Sequence, residues 1–203
     1  GHMESQLRRN GTVHYKIDVH TKNPFRWGKI RNQLKIILEK EKVDLLHLCS
    51  RAPAWIAFPL GSILNIPVIT SVHMRFRKTN IFKKTYNSIL TKGDAIIAIS
   101  NHIDKSIKSS FPKVSYKINI IHRGVDLNLF NTNNIKPARI IAQSKVLNLR
   151  DNVPVIIMAA RPALWKGYIP LISALSKVKK SFQCVLIGAG DGDEKFQKVL
   201  IDK

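Results

Sequence analysis

The most constraining feature of this chain is a regular alternation of short apolar runs with amphipathic stretches, from about residue 13 to residue 121. The helical period is clearest in residues 27–41, where Ile30, Leu34, Ile37 and Leu38 share one face and Lys and Arg occupy the other. Repeated βα units of this kind build a parallel sheet. The sequence therefore predicts an α/β fold whose first domain is doubly wound.

The same alternation assigns the individual elements of the first domain. We predict strands over residues 43–48, 67–72, 95–99 and 118–121. We predict helices over residues 27–41, 54–64, 82–91 and 102–109. Ser100 or Asn101 is the expected cap of the last of these helices, because short polar side chains accept hydrogen bonds from the first turn.

The second half of the chain begins after a stretch without periodicity. Residues 123–134 are rich in Asn, Asp and Gly, which is typical of a connection between domains. Two strands, over 153–158 and 184–187, then alternate with helices over 137–149 and 168–178 and a further helix near Asp193. Because two parallel strands can hardly cover both faces of a core, we expect only the beginning of a second α/β domain.

These patterns predict four segments with numbered boundaries. Residues 1–3 are typical of the remnant of a cleaved expression tag. A partial Rossmann-like N-terminal domain is expected over residues 4–122, the interdomain connection over 123–134, and a partial Rossmann-like C-terminal domain over 135–203. The 44% share of hydrophobic residues among 203 favours a globular chain with a buried core.

Charge and cysteine content narrow the class of protein. The formal net charge of +21 attracts nucleic acid, acidic lipid surfaces or phosphorylated substrates without choosing between them. The longest apolar stretch, residues 52–70, contains Pro53, Pro59 and Pro67 and is too interrupted for a membrane-spanning helix. Cys49 and Cys184 match no metal or redox spacing, so we expect both to be small core residues in a reducing cytoplasm.

The loop over residues 160–167 carries the most specific chemistry. It leaves a predicted buried strand and enters a helix, at the sheet edge where open α/β folds bind ligands. Arg161 and Lys166 could clamp a diphosphate there and neutralise a leaving nucleotide, while Gly167 lets the backbone approach closely. A solvated basic turn is the alternative interpretation of the same residues.

Four ordered motifs resemble those of glycosyltransferase family 4. The Arg161, Lys166 and Gly167 loop is similar to the family's "GR…KG" loop, in which Arg and Lys bind the diphosphate of a nucleotide sugar. Residues 124–130 resemble the "GVD…F" segment found where the family crosses between its domains, here with Gly124 and Asp126. Residues 50–55 and 70–73 also resemble family positions.

The resemblance implies a retaining enzyme of GT-B architecture, of the type that builds the lipopolysaccharide core or another envelope glycan. Its expected partners are a nucleoside diphosphate sugar donor and a glycan or lipid-linked acceptor, and neither a metal nor another cofactor is expected. Arg161 and Lys166 would stabilise the departing diphosphate. His73 would help to position the sugar or the acceptor, although a histidine with satisfied hydrogen bonds at a strand end is the alternative.

Two further groups of residues receive hypotheses. The resemblance implies that Gly188 and Gly190 form the turn that borders the donor cleft, with a plain tight turn as the alternative. The basic and aromatic residues that follow His73 would contact an acceptor or an anionic membrane. These are Arg75, Phe76, Arg77 and Lys78. Alternatives for this second group are a solvated helix start or a surface that stacks single-stranded nucleic acid.

The chain also departs from the family pattern. Ala160 stands where Gly is usual before the Arg, and Met74 stands where Gly usually follows the His. The family's Gly-rich first loop has no equivalent before Ser5, and the family's pair of glutamates, which follows the early strands of the second domain, is expected beyond Lys203. We therefore expect an internal fragment with negligible turnover, cytoplasmic and in peripheral contact with the inner face of the membrane. The alternatives are a non-catalytic binding module or one piece of a split enzyme and, less favoured, a basic nucleic-acid-binding protein, which charge alone favours. No specific nucleic-acid partner is expected.

Overall fold

The chain forms two units, each with its own parallel sheet. The computed structural model describes residues 3–19, 21, 23–76, 80–188 and 198. The first unit comprises residues 1–124 and the second comprises residues 125–203. The division between Gly124 and Val125 falls inside the stretch that the sequence assigned to the interdomain connection.

The first unit alternates helices and strands along the chain. Its helices are α1 (Met3–Arg9), α2 (Trp27–Lys40), α3 (Arg51–Leu64), α4 (Ile81–Ser88) and α5 (Asn101–Ser110). Its strands are β1 (Leu46–Leu48), β2 (Val68–Val72), β3 (Ala95–Ala98) and β4 (Ile118–Ile120). Short 3-10 helices cover Pro24–Arg26, Ile89–Thr91 and Pro112–Lys117.

The four strands form one sheet in the order β1-β2-β3-β4, and every neighbouring pair is parallel. Thr70 is in register with Leu48 on one side and with Ile96 on the other. The strands follow one another across the sheet in the same order as along the chain. The described strands therefore correspond to one half of the doubly wound arrangement that the sequence predicted. All carboxyl ends of these strands lie at a single edge of the sheet.

The core of this unit lies around the two central strands. Ile96 and Ala98 of β3 are fully buried, as are Ala54 of α3 and Ile107 of α5. Thr70 is also fully buried, and its hydroxyl donates to the carbonyl oxygen of Leu90 at 2.7 Å, which avoids an unpaired polar group in the core. Apolar strands with helices between them thus produce the buried parallel sheet expected from their sequence.

The second unit is smaller in its regular structure. It contains α6 (Pro137–Val146), β5 (Val155–Ala159), α7 (Tyr168–Leu175) and β6 (Gln183–Ile187), with 3-10 turns at Thr132–Asn134 and Leu164–Lys166. Strands β5 and β6 pair in parallel from Val155 opposite Gln183 to Ala159 opposite Ile187. Pro162 and Tyr168 are the buried residues among those described in this unit.

Most predicted elements agree with the structure, and two local expectations are wrong. Ser100 is the cap of α5, since its Oγ accepts from the backbone N–H of Ile103 at 3.3 Å. The first strand begins at Leu46 rather than at residue 43, because Asp44 interrupts the apolar run. Cys49 is exposed and not a core residue, because it follows the last residue of β1 at the sheet edge, whereas Cys184 is half-buried in β6.

Candidate functional site

The carboxyl edge of the first sheet carries a pocket of about 250 Å³. It is lined by residues that follow β1 and begin α3, by the residues that end β2, and by Tyr86 and Leu90. Cys49, Ser50, Arg51 and Ala52 contribute the first set, and Val72, His73 and Met74 the second. The sheet geometry therefore brings the segments around residues 50–55 and 70–73 to one place, as parallel strands require.

His73 is half-buried in this pocket and its ring has a defined partner. The guanidinium of Arg123 donates from Nη2 to Nδ1 of His73 at 2.8 Å. Burial lowers the pKa of His73, and the positive charge of Arg123 and the nearby His47 lower it further. The imidazole is therefore predominantly neutral at pH 7, the state expected of a ring that hydrogen-bonds a ligand.

A second polar group lies beside His73 on the same edge. His47 Nε2 is 2.6 Å from Ser71 Oγ, and Cys49 Sγ is 3.6 Å from the same ring nitrogen. The sequence hypotheses gave no role to His47 or Arg123, and they included Ser71 only as a member of the segment 70–73. The available signals were the position of Arg123 directly before Gly124 and the placement of His47 one residue before the end of its strand.

The loop after β5 forms the candidate site of the second unit. Its course is fixed by Tyr168, whose buried hydroxyl donates to the carbonyl oxygen of Ala160, so the loop closes onto the first residue of α7. Gly167 precedes that helix with φ +90°, in the left-handed region that favours glycine. The space around its Cα is open, so its requirement is conformational.

Arg161 and Lys166 are both exposed on this loop. Neither forms an ion pair with a carboxylate among the residues that the structure describes. The Lys166 ammonium lies 4.2 Å from the centroid of the Trp165 ring, a cation–π contact with its neighbour. Two accessible cations five positions apart on one loop are chemically suited to an anionic ligand.

Gly188 directly follows β6 beside this loop, and a side chain there has no room. An added Cβ would lie 2.0 Å from the carbonyl oxygen of Ala160, and φ is +131°. The glycine thus lets the turns after β5 and β6 approach each other closely, which gives it a packing role. Gly190, its partner in the donor-cleft hypothesis, lies outside the described residues.

The segment around residue 126 forms its own turn. Asp126 Oδ1 accepts from the backbone N–H groups of Asn128 at 2.9 Å and Leu129 at 3.2 Å. The Phe130 N–H donates to the carbonyl oxygen of Asp126 at 2.9 Å. Asp126 therefore organises the first residues of the second unit, while Gly124 is the last residue of the first.

Only part of the proposed basic surface lies within the described residues. Arg75 is exposed, and Arg77 and Lys78 lie outside the described residues. Phe76 is 8% exposed and packs edge-on against Phe111 with ring centroids 5.3 Å apart. The expectation that Phe76 contacts a membrane or an acceptor is wrong, because the ring fills the core under α5.

Neither a metal centre nor a membrane span is found within the described residues. No group of three or more His, Cys, Asp or Glu side chains in those ranges is arranged to hold a metal ion. None of the described helices is long and apolar enough to cross a membrane.

Comparison with known proteins identifies the family. The model for Glycosyltransferase Family 4 matches residues 3–129. The chain belongs to this family. Among solved structures, a glycosyltransferase from Rickettsia africae ESF-5 superposes over 100% of this chain and 54% of its own, with 30% identity and a TM-score of 0.86. The segments 50–55 and 70–73 lie within the matched range, as do residues 124–129 of the segment 124–130.

One further relative of this Glycosyltransferase Family 4 chain and one structure of similar fold have lower sequence identity. Spore coat protein SA of Bacillus subtilis is 28% identical over 145 residues, which are 70% of this chain and 38% of that protein. HepE of Anabaena, solved with UDP-glucose, has a TM-score of 0.80 at 17% identity over 100% of this chain and 54% of its own. The chain thus spans about half or less of these relatives, and the α/β, GT-B-like partial fold is confirmed.

Proposed function

We propose that this chain is part of an enzyme that moves a sugar from a nucleoside diphosphate sugar to a hydroxyl group of a glycan or lipid-linked acceptor, with retained anomeric configuration. The observation that carries the proposal is the pair of accessible cations, Arg161 and Lys166, on the loop after β5 in a member of this family. A solved fold relative, HepE, was crystallised with UDP-glucose, which supports the donor class.

The proposed role of the loop is to stabilise the negative charge that develops on the leaving diphosphate. When the bond between sugar and diphosphate breaks, negative charge develops on the bridging oxygen. A guanidinium can bind two phosphate oxygens with its planar fork, and an ammonium acts as a compact point charge. Arg161 and Lys166 offer one of each and hold no described carboxylate that would have to be displaced. They stabilise the charge that appears during transfer.

His73 of the first unit has a separate role in the proposed reaction. Its neutral imidazole lines the pocket at the carboxyl edge of the first sheet, beside Arg51 and Met74. A hydrogen bond from this ring to a sugar hydroxyl would orient the donor sugar or the acceptor without placing a positive charge next to it. The ring is therefore an orienting group, and the loop of the second unit carries the charge stabilisation.

The acceptor is an envelope glycan such as the lipopolysaccharide core. The enzyme works in the cytoplasm, in peripheral contact with the inner face of the membrane. The net charge of +21 and the exposed Arg75 support an anionic surface or acceptor near the first unit. For the 203-residue chain alone we expect weak nucleotide binding and negligible transfer, since it spans 54% of the solved Rickettsia relative.

A nucleotide titration tests the proposal directly. We expect millimolar UDP or GDP, added to the ¹⁵N-labelled chain, to shift the backbone amide signals of residues 161 and 163–168, with a Kd on the order of 1 mM. The double variant Arg161→Ala, Lys166→Ala should abolish these shifts. Lys177→Ala is the matched control, because this exposed lysine follows the far end of α7 and should leave binding unchanged.

Two outcomes of this titration would contradict the proposal. Shifts that persist in the double variant would place the nucleotide elsewhere, and shifts lost equally in Lys177→Ala would indicate nonspecific attraction by net charge. Repeating the titration at 0.05 M and 0.3 M salt separates these cases, since nonspecific attraction is strongly screened.

A further inference from the structure

We propose that Arg123 is a positioning residue for His73: its guanidinium donates to Nδ1 and so holds the imidazole with its proton on Nε2, the nitrogen left free for a ligand. The observation is the 2.8 Å contact between Arg123 Nη2 and His73 Nδ1, which joins residues 50 positions apart in the sequence. The proposal deepens the function proposed above, because it assigns a hydrogen-bonding direction to the ring in that site.

The direction of this hydrogen bond is unambiguous. A guanidinium carries only donors and stays protonated at all ordinary pH values. Nδ1 of His73 must therefore accept, which requires a lone pair on that nitrogen. In the neutral ring the single proton then lies on Nε2, and the ring meets a ligand as a donor. A hydroxyl oxygen of a sugar or a carbonyl oxygen is the matching acceptor.

Arg123 is held in place by the end of the sheet. Ile121 N–H donates to the carbonyl oxygen of Ala98 at 3.0 Å, which extends the pairing of β4 with β3 by one residue. Arg123 follows two positions later, at the same edge of the sheet at which His73 follows β2. The two side chains thus meet because β2 and β4, the parallel strands on either side of β3, end at the same edge of the sheet.

The surroundings of the ring favour the same protonation state. Titratable or charged groups that line the pocket or contact His73 are Arg123, Arg51, Cys49 and Tyr86, and His47 lies close enough to lower the pKa of His73. None of these groups is an anion at pH 7 in its ordinary state. The lining therefore contains no carboxylate that would stabilise an imidazolium.

A specific chemical limit follows. A ring locked with its lone pair on Nδ1 and its proton on Nε2 has no free basic nitrogen to remove a proton from an acceptor hydroxyl. His73 therefore acts as a hydrogen-bond donor to the ligand and not as the general base of the reaction. A residue that only filled space at the end of β4 would not restrict His73 in this way, so the restriction distinguishes the proposed role of Arg123 from a packing role.

Imidazole ¹⁵N NMR of the 203-residue chain tests the assignment without a ligand. Two-bond ¹⁵N–¹H spectra distinguish the protonated from the unprotonated ring nitrogen, and loss of one signal set in His73→Gln identifies His73. We expect a single neutral tautomer with its proton on Nε2. Arg123→Gln should raise the pKa of His73 and shift the Nδ1 resonance to that of a ring nitrogen without a charged donor.

Arg123→Glu provides the sharper second variant. A carboxylate at this position accepts instead of donating, so the neutral ring should move its proton to Nδ1 and the pKa should rise further than in Arg123→Gln. Arg51→Gln is the matched control, because it removes a guanidinium from the same pocket. It should leave the tautomer of His73 unchanged.

The same tautomer and the same titration midpoint in the parent chain and in both Arg123 variants would overturn the proposal. A change of tautomer in Arg51→Gln equal to that in Arg123→Glu would also overturn it, because it would show a general field effect. Failure of the nucleotide titration described above would reject the proposed function and leave these ring states unaffected, so the two failures are distinguishable.

Discussion

The two units bury their strands to very different degrees. In the first unit, Ile96 and Ala98 of β3 are fully buried between neighbouring strands and helices. In the second unit, Val155 and Ile157 of β5 are 37% and 55% exposed, although β5 is at least as apolar as β3. Local sequence favours a strand in both places, but among the described residues only β3 has neighbouring strands and helices that cover it.

The difference shows where stability comes from in a parallel sheet. A strand that is apolar on both faces gains most of its free energy when helices or further strands remove those faces from water. Strand β3 has a neighbour on each side, whereas β5 pairs with β6 alone among the described strands. We therefore expect the first unit to be the more stable and the second to open more readily.

The largest expected effect comes from truncating one isoleucine in each sheet. Ile96→Ala removes a fully buried side chain and should destabilise the first unit by roughly 2–5 kcal/mol. Ile157→Ala is the matched variant in β5 and should cost the second unit less than about 1 kcal/mol. Hydrogen exchange resolved by peptide measures the two units separately. Equal losses would contradict the difference in burial.

A glycine substitution tests whether the second unit nevertheless has one rigid point. Gly188→Ala forces a Cβ against the Ala160 carbonyl at a φ of +131° and should destabilise β5 and β6 by roughly 1–3 kcal/mol. Gly124→Ala is the control, since nothing lies within 4 Å of an added Cβ and its effect should be small. Unchanged exchange in β6 of the Gly188 variant would show that the two turns are not in close contact.

The smallest expected effect depends on pH and concerns the first unit. Because the pKa of His73 is lowered in the folded chain, the unfolded chain binds a proton more readily. Stability of the first unit should therefore fall as the pH drops below about 6.5, the ordinary value, and the loss is complete below the lowered pKa. In His73→Gln, urea unfolding between pH 7.5 and 5 should lose this part of the pH dependence. An identical slope in both chains would contradict the assignment.

Local sequence patterns predicted the sheet but not the contacts between residues that are far apart in the sequence. The β-branched run at residues 67–72 and the cap at Ser100 are encoded within a few positions, and the structure has both. The short helix Met3–Arg9 and the 3-10 segment Pro112–Lys117 were missed, because neither carries an apolar stripe long enough to reveal a period.

The site residues likewise divide into those that the local sequence predicts and those that depend on contacts between distant residues. The sequence singled out His73, Arg161 and Lys166 from their positions after strands that it predicted to be buried. The structure has each of them after a strand, although β5, which precedes the two cations, is largely exposed. Local sequence patterns gave no reason to bury Phe76, whose partner Phe111 is 35 positions away, or to join His73 to Arg123. Contacts of this kind depend on which strands become neighbours, and a single sequence does not state the strand order.

Because Lys166 contacts Trp165, a ligand that binds the loop after β5 should change the surroundings of a tryptophan. The ammonium lies 4.2 Å above an indole that is 72% exposed, so it is held by the ring and not by a carboxylate. An exposed contact of this type contributes only about 0.5–1 kcal/mol, and an oxyanion arriving at the loop can draw the lysine away. The fluorescence of the uncovered tryptophan would then change, which gives the protein an intrinsic optical probe of occupancy beside its own cation.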